Sequence, residues 1–142
     1  MIAIGCDHGG YELKGRILKY LDDHGLEYKD YGCFGPESVD YPEYGKAVGH
    51  AVAAGEADRG IVICTTGIGI SITANKIPGI RCALCADTVS AWLTRQHNDA
   101  NVLALGAGIV GPNLAISIVE TFLNTPFPGE EKHARRISQI EN

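Results

Sequence analysis

The feature that most constrains this chain is a short apolar run, Gly60-Ile-Val-Ile-Cys64, with no polar residue alternating through it. Such a β-branched run reads as a strand buried on both faces, as in a parallel sheet covered by helices. The pattern repeats along the chain. Ile2–Cys6, Leu26–Tyr31, Ile80–Cys85 and Asn101–Leu105 are further strand-like runs, the second more polar and so nearer an edge. After the first run, Leu13, Ile17, Leu18 and Leu21 share one helical face, closed by His24-Gly25. Further helical stretches are Pro42–Gly55, a segment reaching about Lys76, one from its cap Asp87 to about Gln96, and Pro112–Phe122. A last amphipathic segment, Glu130–Ile140, follows Pro126 and Pro128. Strand and helix alternating five times, plus a terminal helix, predict an α/β fold: one domain over 1–142, with a five-stranded parallel sheet and helices on both faces.

Composition narrows the function. The formal net charge is −5, so the surface offers no general attraction to nucleic acid or an anionic membrane. An anionic ligand would need a local positive cluster. The first apolar run is cut off by Gly5, Cys6 and Asp7, short of a signal-peptide core, and no segment approaches a membrane span. The cytoplasm is the expected compartment. The five cysteines sit mainly in apolar runs, unlike a disulfide framework. Cys82 and Cys85 lie three apart in a strand and so point to opposite faces, which argues for structural cysteines and against a metal pair.

In a parallel α/β sheet, ligands bind beyond the carboxyl ends of the strands. There this chain places Cys6-Asp7-His8, Cys64-Thr65-Thr66, Cys85, Asp87 and Gly106. Cys64 precedes Gly67-Ile68-Gly69 at a helix start, near backbone N–H groups that favour a thiolate and can hold an oxyanion. Taken alone, Cys64 reads more readily as a small core residue. The same glycines, with Asp87 as a ribose-binding acid, suggest a non-catalytic nucleotide-binding domain; Ile72 stands where the third glycine of that fingerprint belongs. His97 falls near a helix end and reads by itself as a surface residue. Asp7 and His8 bind sugar hydroxyls or cap the next helix. Lys132, His133, Arg135 and Arg136 form a basic cluster that clamps a phosphate or is simply solvated.

Five segments carry a resemblance over nearly the whole chain: Gly5-Cys-Asp-His-Gly-Gly10, Ser38-Val-Asp-Tyr-Pro42, Ile63-Cys-Thr-Thr-Gly-Ile-Gly-Ile-Ser71, Ala74-Asn-Lys76 and Arg95-Gln-His-Asn-Asp-Ala-Asn101. In order and content they resemble the type B ribose-5-phosphate isomerases, a family that includes the galactose-6-phosphate isomerase subunits. The resemblance implies a Rossmann-like, doubly wound sheet and a homodimer or dimer of dimers with active sites between subunits. It implies a sugar-phosphate substrate and neither metal nor cofactor. By motif, Cys64 would move a proton between C1 and C2, with Thr66 and His97 assisting ring opening. The main chain of Thr65, Gly67, Ile68, Gly69, Ile70 and Ser71 would hold the enediolate oxygen. Asp7, His8 and Asn98 would bind hydroxyls, and Lys132, His133 and Arg136 the phosphate. Some relatives use a glutamate near the position of Ile70 and Ser71, so here Cys64 is left as the base. Three positions depart from the family pattern: Thr65 replaces a glycine, Gly108 an arginine, and Lys132 an arginine. Lysine lacks the bidentate fork of arginine, so the phosphate grip is expected to be rearranged. The resemblance implies an aldose–ketose isomerase with ribose 5-phosphate as the leading substrate, and a tetrose, allose or galactose phosphate or a free sugar as the alternative.

Overall fold

The structure, a computed structural model, describes residues 1–142. Five parallel strands form one sheet: β1 (Ile2–Cys6), β2 (Tyr28–Asp30), β3 (Arg59–Cys64), β4 (Cys82–Leu84) and β5 (Val102–Gly106), in the order β2-β1-β3-β5-β4. The strand boundaries follow their neighbours. β1, β3 and β5 are flanked on both sides and almost wholly buried, whereas β2 and β4 are edge strands of three residues, shorter than the sequence pattern suggests. The expected doubly wound parallel sheet is present.

Alternate strand residues feed two cores, as a two-residue period requires. Ile61, Ile63, Leu103 and Leu105 pack with Leu13, Ile17 and Leu21 of α1 (Tyr11–Asp23), Ala91 of α4 (Thr88–Asn98), and Ile118 and Phe122 of α5 (Pro112–Asn124). On the other face Val62, Cys64, Val102 and Ala104 meet Val48 and Val52 of α2 (Tyr41–Ala53) and Ile70 and Ala74 of α3 (Ile68–Asn75). Cys82 packs against this second core and Cys85 joins the first, so the pair does face opposite ways. The remaining helix, α6 (Glu131–Glu141), buries no residue. No helix is long and apolar enough to cross a membrane.

Local chemistry explains the joints. Asp87 caps α4 by accepting from the Ser90 N–H at 2.6 Å. Asn75, at the end of α3, accepts from Cys82 N at 2.7 Å and donates to Cys82 O at 2.9 Å, which fixes the start of β4. The connections leaving β1 and β3 run to opposite sides of the sheet, so the carboxyl ends of these two strands, with β5 alongside, border the crevice where such folds bind ligands.

Candidate active site

Cys64 ends β3 opposite Gly106 of β5, and its neighbour Ile63 pairs with Cys6 of β1. Main-chain bonds stitch the three ends together: Asp7 N to Ile63 O, Ala107 N to Cys64 O at 2.9 Å, and Gly108 N to Thr65 O at 2.8 Å. Cys64 is 5 % exposed. It lines an open cleft of about 520 Å³ with Asp7, Tyr41, Thr65, Thr66, Ile68 and Gly69 among its neighbours.

The loop after Cys64 turns sharply into α3. Gly67 takes φ +76° and its N–H donates to Cys64 Sγ at 3.1 Å. A side chain there would strike Leu105 C at 2.8 Å and Gly106 N at 2.9 Å, so glycine is required for shape as well as for φ. Ile68 N donates to Thr66 Oγ1, and Ser71 N to Gly67 O. The N–H groups of Thr65, Thr66, Gly69 and Ile70 have no protein acceptor. Four free donors therefore lie on the loop and first helical turn that follow the thiol, an arrangement suited to negative charge. The side chains of Ile70 and Ser71 take no part: Ile70 is core, and the Ser71 hydroxyl donates to Ile68 O at 2.7 Å.

Asp7 and His8 occupy the facing edge. Asp7 Oδ1 accepts from Gly9 N at 2.9 Å and Gly10 N at 3.3 Å, which caps the turn and leaves Oδ2 without a protein partner. His8 Nδ1 accepts from Val39 N at 3.1 Å. A backbone N–H only donates, so the neutral ring carries its proton on Nε2. The Ser38–Pro42 segment thus orients His8, and it also brings in Tyr41, absent from the site read in the sequence. The Tyr41 ring stands against Gly69, where an added Cβ would meet Cζ at 2.5 Å, and its hydroxyl has no hydrogen-bond partner. The signal that marks Tyr41 was the segment itself, which had no role assigned to it.

The other expected site residues lie elsewhere. α4 starts beyond the carboxyl end of β4 and runs back, so His97 and Asn98 reach the amino edge of the sheet just before β5. Register pairs Gly60 with Val102 and Cys64 with Gly106, four strand residues or about 13 Å apart. One chain therefore does not bring Cys64 and His97 together, as the return path of a βα unit dictates. His97 instead stacks on His133, ring centroids 4.2 Å apart, beside Lys132 and Arg136. Burial, then His97 and Lys132, push the His133 pKa below the ordinary histidine value, against the opposing pull of Glu130. Lys132 and Arg136 have no ion-pair partner, while Arg135 is held by Glu131 at 2.6 Å.

A profile of the Ribose/Galactose Isomerase family matches residues 2–140. The chain belongs to that family. It is 49 % identical over 139 residues to ribose-5-phosphate isomerase B of Escherichia coli, covering 98 % of this chain and 93 % of that one. It is 45 % identical over 130 residues to D-erythrulose-4-phosphate isomerase of Pectobacterium atrosepticum, covering 90 % and 85 %. The ribose-5-phosphate isomerase B structure from Clostridium thermocellum superposes with a TM-score of 0.97 at 54 % identity, covering 99 % of this chain and 94 % of that one. As a ribose/galactose isomerase family member, the chain keeps the family's fold end to end.

Proposed function

We propose that this chain interconverts the aldose and ketose forms of a sugar phosphate, ribose 5-phosphate being the first to test, with Cys64 as the base. The observation that carries the reading is the thiol at the start of a loop that holds four free N–H donors. Cys64, as thiolate, takes the C2 proton of the open-chain aldose while the electron pair moves onto O1. O2 then gives its proton to O1, and the thiol returns its own to C1. The donors of Thr65, Thr66, Gly69 and Ile70 hold the enediolate oxygen, a charge that exists only along the reaction path. Asp7 Oδ2 and the His8 Nε2–H face the sugar hydroxyls, and Thr66 with His97 assists ring opening.

The working unit is a homodimer or dimer of dimers, each site pairing the Cys64 loop of one chain with His97, Asn98 and the Lys132–His133–Arg136 cluster of the partner. The 13 Å separation supports this, as do Ile68 and Ile72, one turn apart and each more than half exposed beside the cleft. Five free thiols support a reducing, cytoplasmic setting. The nucleotide-binding alternative is weakened because Asp87 is occupied in capping α4.

A different sugar phosphate is the second reading within the same chemistry. Thr65 fills the space beside Gly108, where an added Cβ would meet its Cγ2 at 3.1 Å, and the phosphate cluster offers lysine at 132. The erythrulose-phosphate relative gives that reading weight. A substrate panel of tetrose, pentose and hexose phosphates decides: a clear preference for ribose 5-phosphate removes the second reading, and no turnover on any of them removes both.

A further inference from the structure

The C-terminal helix is attached unlike any other element. It buries no residue fully, and a ring stack and an ion pair tie it to the body: His133 stacked on His97 near its first turn, and Glu141 bonded to Arg81 in its last. Arg81 does more than hold Glu141. Its Nε donates to Asn98 O at 2.8 Å and its Nη2 to Asp99 O at 3.0 Å, both at the end of α4. Those carbonyls lie where a helix leaves acceptors unpaired and where its dipole favours a cation. The base of the side chain is fixed as well: Arg81 N donates to Asn101 Oδ1 at 2.9 Å, and its carbonyl accepts from Asn101 N at 3.0 Å. The side chain is 18 % exposed, against 51 % for Arg135. A planar guanidinium meets three acceptors on two helices at once, which a lysine ammonium on a flexible stem does not reproduce.

We propose that Arg81 is a positioning residue: it joins the end of α4 to the last turn of α6 and so sets how His97 and Asn98 stand against Lys132, His133 and Arg136. This rests on the reading that the cluster grips the substrate's phosphate. With no fully buried residue to seat it, α6 leans on its two end contacts for its placement, and the Arg81 contact is the one anchored beside the sheet. Loosening it spreads the positive groups over more positions and weakens the grip, while the Cys64 loop at the opposite edge of the sheet is untouched.

Glu141→Ala removes one arm of the contact without disturbing any core residue. The expected result is faster deuterium exchange at the α6 amides, by about tenfold. KM for the sugar phosphate and Ki for inorganic phosphate rise about 3- to 10-fold, with kcat changed by less than about twofold. Arg81→Lys gives the same split with a larger rise. Wild-type exchange rates in α6 of the Glu141→Ala protein overturn the proposal, as does a loosened α6 with unchanged KM and Ki, or a loss of kcat at constant KM. A wild type that neither converts a sugar phosphate nor binds inorganic phosphate overturns the reading of the cluster itself. An active wild type with unaffected variants overturns only the role of Arg81.

Discussion

The two ends of the sheet are built from different materials. At the carboxyl end, Cys64 sits on a buried strand, and the groups around it are main-chain donors fixed by β1, β3 and β5. At the amino end, His97, Lys132, His133 and Arg136 are side chains on the end of one helix and the face of another that buries nothing. The difference teaches where change is cheap. Altering the first end disturbs the backbone of the core, whereas altering the second exchanges one helix-surface side chain for another. On the proposed reading, proton transfer is thereby tied to the fold, and substrate grip is free to vary.

The most severe way to break this comparison is at the thiol. Cys64→Ala is expected to lower kcat by about 10³-fold or more with the circular-dichroism spectrum retained; substantial residual turnover removes Cys64 as the base. His97→Asn lowers kcat less. Mixing these two impaired proteins in equal amounts after reversible dissociation raises activity to about a quarter of wild type, above that of either alone, if sites are shared between subunits, because half the dimers are mixed and each regains one intact site. No recovery in dimers that demonstrably mix returns the two groups to one chain. Next, Gly67→Ala forces a left-handed residue and a main-chain collision, and is expected to cost both activity, about 10²-fold, and several degrees of Tm. A fully active Gly67→Ala protein ends the argument that this loop's shape matters.

Smaller effects sharpen the contrast. Tyr41→Phe removes one hydroxyl from the cleft and raises KM about 3-fold, for the loss of a single neutral hydrogen bond; unchanged kinetics leave Tyr41 as packing. At the amino end the readout is pH. The His133 pKa lies below the ordinary value, so the folded chain holds fewer protons than the unfolded one between the two values. Its contribution to stability is complete above the ordinary histidine pKa and is lost as pH falls through the depressed one. A phosphate dianion among His97, His133, Lys132 and Arg136 reverses that depression. An NMR titration of His133 is expected to shift upward when inorganic phosphate is added, and a static pKa removes His133 from the anion site.

Much of this was legible in the chain itself. The boundaries of β1 match the apolar run Ile2–Cys6, and α5 begins at Pro112 as its sequence indicates, because local composition decides both. The edge strands β2 and β4 were read too long, since strand length depends on which neighbours lie alongside. Tyr41 was missed because its contact is with Gly69, far along the chain, and no periodic pattern announces it. Ile70 stood among the site residues, yet the helix turns its side chain into the core and leaves only an N–H without a protein acceptor.

The sequence by itself determined the alternation of strand and helix, the sharp turn at Gly67 and the presence of a thiol where that turn begins. Those are local matters of burial, dihedral preference and capping. Only the tertiary structure decided that Cys64 lies between β1 and β5, and that His97 lies at the opposite edge beside His133. Strand order and the packing of α6 depend on contacts between residues far apart in the chain, which no local preference encodes.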